Sequence, residues 1–85
     1  MPDDGFSERL VTRSEIAELA ALFDRFEFAL DPRSTSAKEA ESEFDTRVQQ
    51  LFQERVAPNY ASISFLTFHC RIKSVCRAYL KKNIL

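Results

Sequence analysis

Three apolar stripes with the spacing of an α-helix run along this chain, and prolines separate them. In each stripe the apolar residues recur three or four positions apart, which places them on one side of a helix that buries that side. The first stripe consists of Ile16, Leu19, Phe23, Phe26 and Leu30. Alternating apolar and polar residues, the pattern of a half-buried strand, are nearly absent. The sequence therefore predicts an all-α fold.

The first predicted helix spans residues 13–30. Thr12 and Glu15 match a capping box, in which both side chains accept hydrogen bonds from free backbone N–H groups at the helix start. Asp31 precedes Pro32, and the residue before a proline is disfavoured in the α conformation. We therefore expect the helix to end immediately before Asp31.

The second predicted helix spans residues 37–57. Ser36 and Glu39 repeat the capping-box pattern at its start, and Pro58 interrupts the helix at its end. The apolar residues of this helix share one face, as in the first helix. They are Ala40, Phe44, Val48, Leu51 and Phe52.

The third predicted helix spans residues 65–82 and begins after Ser64. Three helices of similar length, joined by loops of about six residues, favour a compact antiparallel three-helix bundle. We assign the bundle to residues 12–85. Residues 1–11 contain the only glycine and are interpreted as a short N-terminal arm.

Eight phenylalanines in 85 residues predict a core that is largely aromatic. A chain of this size buries a small core, and a ligand cavity of roughly 300 Å³ or more would remove much of it. We therefore expect no enzyme active site in an internal pocket. The residues expected to be buried and packed together are Phe23, Phe26, Phe44, Leu51, Phe68 and Ile72.

The residue types that carry catalysis or bind metals do not form a known motif. His69 is the only histidine, and on a helix it points about 100° away from Cys70. The spacing of these two residues and Cys76 differs from that of zinc ligands. A single glycine also excludes a glycine-rich phosphate loop. We therefore predict no catalytic, metal or cofactor site, and we interpret His69 as a residue at the edge of the core.

The two cysteines favour a reducing compartment. About 9 Å of helix separates Cys70 from Cys76, which exceeds the ~7 Å that a disulfide bridges. We expect Cys70 to be exposed beside basic residues and Cys76 to lie in the core. The acidic N-terminus does not resemble a signal peptide, and no apolar run is long enough to span a bilayer. The expected location is therefore the cytoplasm.

Charge is distributed unevenly along the chain. Residues 1–59 contain 13 acidic and 7 basic side chains, whereas residues 60–85 contain 5 basic side chains and no acidic one. One flank of the third predicted helix carries Lys73, Arg77 and Lys81, spaced four residues apart. Three interpretations follow: pairing with the acidic first two helices, binding to an acidic protein surface, or binding to nucleic acid.

Several features favour a protein over nucleic acid as the partner. The segment before the third helix contains Pro58 and no glycine, unlike the turn of a helix-turn-helix. Leu66, Thr67 and Cys70 stand where a recognition helix would present Arg, Asn or Gln to base edges. The net charge of −1 gives little attraction to a polyanion, and an acidic body is repelled by anionic lipid.

A second patch, on the first helix, consists of Ala17, Ala21 and Phe28. These residues lie roughly opposite the core stripe of that helix, which indicates a contact surface. The alternative is a single exposed phenylalanine, or one that the N-terminal arm covers. The candidate partner-binding residues are Ala17, Ala21, Phe28, Lys73, Arg77 and Lys81. We therefore predict a small non-enzymatic protein–protein interaction module, an adaptor or regulator that binds an acidic protein or forms a homodimer. The alternative function is a nucleic-acid-binding regulator that uses the third helix.

Overall fold

The computed structural model describes residues 10–84, with side chains up to residue 82. Helix α1 spans Arg13–Glu27, α2 spans Thr35–Leu51 and continues into a π-helical turn at Phe52–Val56, and α3 spans Phe65–Ile84. No strand occurs between residues 10 and 84. The predicted all-α three-helix bundle is confirmed. Residues 1–9 of the predicted N-terminal arm lie outside the described part of the chain.

Contacts between side chains show that successive helices run antiparallel. The start of α1 lies against the end of the α2 segment, where Glu15 binds Arg55. The end of α1 lies against the start of α2, where Arg25 donates a hydrogen bond to Ser36. Helices α2 and α3 are also antiparallel. Asp45 contacts His69, whereas Phe52, further along the second segment, contacts Phe65 at the start of α3.

The core consists of large apolar side chains from all three helices. The fully buried ones are Leu19, Phe23, Phe44, Val48, Val56, Phe68, Ile72 and Cys76. Of the six residues predicted to form the core, five are buried. Phe26 is only half-buried, because it lies at the edge of the α1–α2 contact with its ring centroid 5.4 Å from those of Phe23 and Phe44.

Helix α1 ends three residues earlier than predicted, at Glu27 instead of Leu30. Phe28 is its last hydrogen-bonded residue, donating its N–H to the carbonyl of Asp24. The chain then turns at Asp31, whose side chain accepts a hydrogen bond from the Arg33 N–H at 3.1 Å. Asp31 precedes Pro32 and is therefore disfavoured in the α conformation, so the helix has to end before this turn. Leu30 is therefore fully exposed, which corrects its predicted place in the apolar stripe of the first helix.

Helix α2 begins two residues earlier than predicted. Its N-cap is Ser34, whose hydroxyl accepts a hydrogen bond from the Ala37 N–H at 3.2 Å. The capping box predicted at Ser36 and Glu39 is therefore wrong. The hydroxyl of Ser34 already accepts a hydrogen bond from a free N–H of the first turn, so the helix starts directly after Ser34. The hydroxyl of Ser36 instead accepts a hydrogen bond from Arg25.

The other two predicted helix starts are confirmed. In α1, the Thr12 N–H donates to Glu15 Oε1 at 2.9 Å and the Glu15 N–H donates to Thr12 Oγ1 at 3.2 Å. In α3, the Thr67 N–H donates to the hydroxyl of Ser64 at 3.2 Å. These bonds satisfy backbone donors that have no partner within the helix.

The second helical segment ends in the π-helical turn because of Pro58. Proline has no N–H to donate to Glu54, and its ring crowds the carbonyl four residues earlier. The backbone widens instead, and the Ala57 N–H donates to the carbonyl of Phe52, five residues back, at 2.8 Å. This turn keeps Val56 in the core and lets Arg55 reach α1.

Candidate partner-binding surface

Phe28 is an exposed aromatic residue that packs against a buried ring. Its side chain follows the last turn of α1 and is 56% exposed. The ring stands edge-on to that of Phe23, with the centroids 6.3 Å apart and an angle of 86° between the planes. Because Phe23 is fully buried, Phe28 rests on the core while it presents the rest of its ring to solvent.

Arg77 of α3 lies on the same buried ring. Its guanidinium carbon is 5.4 Å from the ring centroid of Phe23, a cation–π distance. The guanidinium also donates a hydrogen bond to Glu27 Oε2 at 3.1 Å. The structure thus brings Phe28 and Arg77, which are distant in sequence, to one site around Phe23.

Lys73 and Lys81 lie one helical turn before and after Arg77. Lys73 is half-buried and Lys81 is exposed. Neither has an ion pair with any residue in the described part of the chain. We call Phe28, Lys73, Arg77 and Lys81 the basic–aromatic surface.

Ion pairs within the bundle account for only part of the charge asymmetry. Three ion pairs between oppositely charged side chains join the helices across residues 10–82, and one of them, Glu27 with Arg77, involves α3. His69 of α3 also has a hydrogen bond with Asp45. Intramolecular pairing, the first of the three sequence interpretations, therefore applies to Arg77. It does not apply to the two lysines beside it.

The small residues predicted beside Phe28 lie on the outer side of α1. Ala21 is exposed and Ala17 is half-buried. Neither side chain prevents another chain from approaching α1 closely.

The sequence prediction missed further exposed apolar side chains elsewhere in the bundle. Leu66, in the first turn of α3, is 73% exposed, and Tyr60 is partly exposed in the loop before it. A helical projection was sufficient to place Leu66 away from the core stripe of α3. Both lie at the opposite end of the bundle from Phe28, so they do not belong to the basic–aromatic surface.

His69 lies at the edge of the core, as predicted. Its Nε2 is 2.8 Å from Asp45 Oδ1, and its ring is stacked on Phe65 and edge-on to Phe44. These contacts hold the imidazole between α2 and α3. No group of three or more metal-ligating side chains occurs among the residues that the structure describes.

The two cysteines differ in environment. Cys70 is exposed on α3, whereas Cys76 is fully buried. Burial disfavours the charged thiolate and raises the pKa of Cys76 from 9.0 to about 12. Cys76 is thus an apolar core residue in practice.

A second charged cluster, which the sequence prediction did not identify, joins the start of α1 to the π-helical turn. Arg55 donates to Glu15 Oε1 at 2.5 Å, to Glu15 Oε2 at 2.7 Å and to the carbonyl of Leu10 at 2.9 Å. The hydrogen bonds from Arg55, followed by that from the Thr12 N–H, outweigh partial burial and lower the pKa of Glu15 from 4.5 to about 2. This cluster fastens helix ends together and lies away from Phe28.

Comparison of the chain with protein-family models, with curated proteins and with solved structures gives no match. None of the helices in the described residues is both long enough and apolar enough to cross a membrane.

Proposed function

We propose that this chain is a small non-enzymatic interaction module, an adaptor or regulator that binds another protein through the basic–aromatic surface. The observation that supports this proposal is the position of Phe28. A large ring that is more than half exposed and also packs against a buried neighbour is suited to anchor an interface. Little conformational entropy is lost when a partner covers such a ring.

The charges around Phe28 support a partner with an acidic surface. Lys73 and Lys81 flank Arg77 and have no ion pair among the described residues. Basic side chains at the rim of an interface steer an acidic partner into place and select against basic ones. Ala17 and Ala21 allow that partner to lie close to α1.

The two free cysteines are compatible with a reducing compartment, and we place this function in the cytoplasm. The partner is either a different protein or a second copy of the chain. Nucleic acid is disfavoured because Glu27 already neutralises Arg77. A nucleic-acid-binding regulator is the outcome to expect only if oligonucleotides bind the wild type with a steep dependence on salt.

Affinity capture with quantitative mass spectrometry tests the proposal. The bait proteins are the wild type, Phe28→Ser and the double variant Lys73→Glu/Lys81→Glu. We expect at least one protein that the wild type retains and both variants lose. Sedimentation of the wild type shows in parallel whether the chain forms a homodimer.

Matched controls for these variants come from α3. Leu66→Ser removes an exposed apolar side chain, and Lys82→Glu reverses an exposed charge, both outside the basic–aromatic surface. They should retain the same proteins as the wild type. The proposal is wrong if no captured protein and no self-association depends on Phe28 or on the two lysines.

A further inference from the structure

We infer that the basic–aromatic surface binds an acidic helical segment of a different protein, in which two carboxylates flank an apolar residue at intervals of four positions. This inference rests on the proposed function and specifies the chemistry of the partner. Three observations carry it: the spacing of the basic residues, the place of Phe28 beside the middle one, and the composition of the chain's own acidic helix.

The basic residues form a row with helical periodicity. Lys73 and Lys81 are two turns apart, a rise of about 12 Å, and Arg77 lies midway between them. Side chains four positions apart on a partner helix repeat at the same interval of about 6 Å. A helix that lies along α3 can therefore place one carboxylate at each lysine.

The middle of the row differs from its two ends. Arg77 is held by Glu27 and by the ring of Phe23, so its charge is already balanced. Phe28 packs against the same ring and leaves more than half of its own side chain exposed. The position of the partner helix that faces the middle of the row therefore takes an apolar side chain, which packs on Phe28, and not a third carboxylate.

A second copy of this chain does not supply that pattern. The acidic outer face of α2 carries Glu39 and Glu43, both exposed. No large apolar side chain is exposed within Thr35–Leu51. Surface ion pairs alone contribute little to association, so a self-contact through α2 lacks an apolar anchor for Phe28.

A long polyanion is disfavoured by the acidic residues around this surface. Asp24 is exposed one turn before Phe28, and Glu27 lies directly beside it. A short acidic segment can avoid these carboxylates, whereas a continuous phosphate backbone would pass close to them and be repelled. This arrangement favours a peptide over nucleic acid.

The test uses a synthetic helical peptide in which glutamate, leucine and glutamate stand four positions apart on an alanine- and glutamine-based background. A control peptide has the same composition with the two glutamates placed next to each other. Titration calorimetry or fluorescence anisotropy measures binding to the full chain. We expect the spaced peptide to bind about 10-fold more tightly than the control peptide, because only it places both carboxylates at lysines.

Variants of the chain locate the contact. Phe28→Ser and Lys73→Glu/Lys81→Glu should each weaken binding of the spaced peptide by about 10-fold or more. Leu66→Ser and Lys82→Glu should leave it within about twofold of the wild type. Thermal unfolding of each variant shows whether it is folded. Phe28→Leu, which preserves most of the apolar bulk, should retain most of the affinity.

Several results overturn the inference. Equal affinity for the two peptides excludes the proposed spacing, and binding that does not respond to Phe28→Ser excludes the apolar contact. Tighter binding of a single-stranded oligonucleotide with the same number of charges indicates nucleic acid, and wild-type self-association through these residues indicates a second copy. If the peptides fail while a captured protein still depends on Phe28, the proposed function stands and only the partner chemistry is wrong.

Discussion

Acid should weaken this fold through one carboxylate, that of Glu15. The structure gives Glu15 a folded-state pKa of about 2, compared with 4.5 for an unperturbed group. A group whose pKa is lowered by folding stabilises the protein above its unfolded pKa. That stabilisation is lost as the pH falls from the unfolded value toward the folded one. For Glu15 the loss therefore occurs between about pH 4.5 and pH 2.

The size of the effect follows from the shift and from solvent exposure. Each unit of pKa corresponds to about 1.4 kcal/mol. Without screening by solvent, the shift of Glu15 would therefore contribute roughly 3 kcal/mol to the free energy of unfolding. The Glu15 side chain is 19% exposed and that of Arg55 is 36% exposed, so water screens part of the interaction. We expect Glu15 to contribute about 1–2 kcal/mol to the free energy of unfolding at neutral pH.

Urea denaturation of the wild type and of Glu15→Gln at several pH values measures this contribution. Glutamine retains the capping box and accepts one hydrogen bond from Arg55, but it carries no charge. Near pH 6 the variant should be about 1–2 kcal/mol less stable than the wild type. The difference should shrink as the pH falls from about 4.5 toward 2 and should vanish only below pH 2, where the wild-type carboxylate is protonated in both the folded and the unfolded state.

Glu18→Gln is the matched control, one turn further along α1. Glu18 pairs with Arg47 at 3.2 Å, but its side chain is 66% exposed. Removing its charge should change stability by no more than about 0.5 kcal/mol at any pH. If the difference in free energy of unfolding between Glu15→Gln and the wild type is the same at every pH, the contact with Arg55 does not stabilise the charged form of Glu15. That result would refute the reasoning.

Two further predictions concern the core and the thiols. Phe23→Ala should lower the free energy of unfolding by about 3–5 kcal/mol and Phe26→Ala by about half as much, because only the first ring is fully buried. In the same thermal or urea scans Leu30→Ala should cost less than about 0.5 kcal/mol, and an equal loss at all three positions would contradict the assigned burial. Cys70 should react with a thiol reagent in the native protein while Cys76 reacts only after unfolding, as peptide mapping of the labelled protein can show. Equal labelling of the two cysteines under native conditions would show that α3 is oriented differently.

The sequence predicts the features of this fold that depend on local patterns. Apolar spacing is sufficient to predict three helices and the burial of Phe23, Phe44 and Phe68, because the core-facing side of a helix is fixed by its period. The capping box at Thr12 and Glu15 is likewise predicted, since all of its partners lie within four residues. These features need no knowledge of the tertiary contacts.

The sequence predicts two helix boundaries wrongly, the end of α1 and the start of α2, because more than one residue nearby is suited to each boundary. Ser34 and Ser36 are both acceptable N-caps, and the turn that begins at Asp31 decides between them. That turn also releases Leu30 from α1. Helical phase alone cannot show how the chain leaves a helix, so the boundaries are less predictable than the faces.

The candidate surface is predictable as two halves but not as one site. The charge asymmetry identifies Lys73, Arg77 and Lys81, and the second patch on α1 identifies Phe28. Phe28 and Arg77 both contact Phe23, and this arrangement depends on how α1 packs against α3. The pairing of Glu15 with Arg55 escapes the sequence for the same reason, since 40 residues separate the partners.

The contacts of Phe23 have a consequence for how this protein can change over time. The ring is fully buried in the core, and its neighbours include both an exposed aromatic and a cation of the proposed interface. Substitutions at this position would alter folding and recognition together, so neither property could be adjusted there without the other. Lineages that exchange the partner should therefore vary first at Lys73 and Lys81, whose side chains carry no such double constraint.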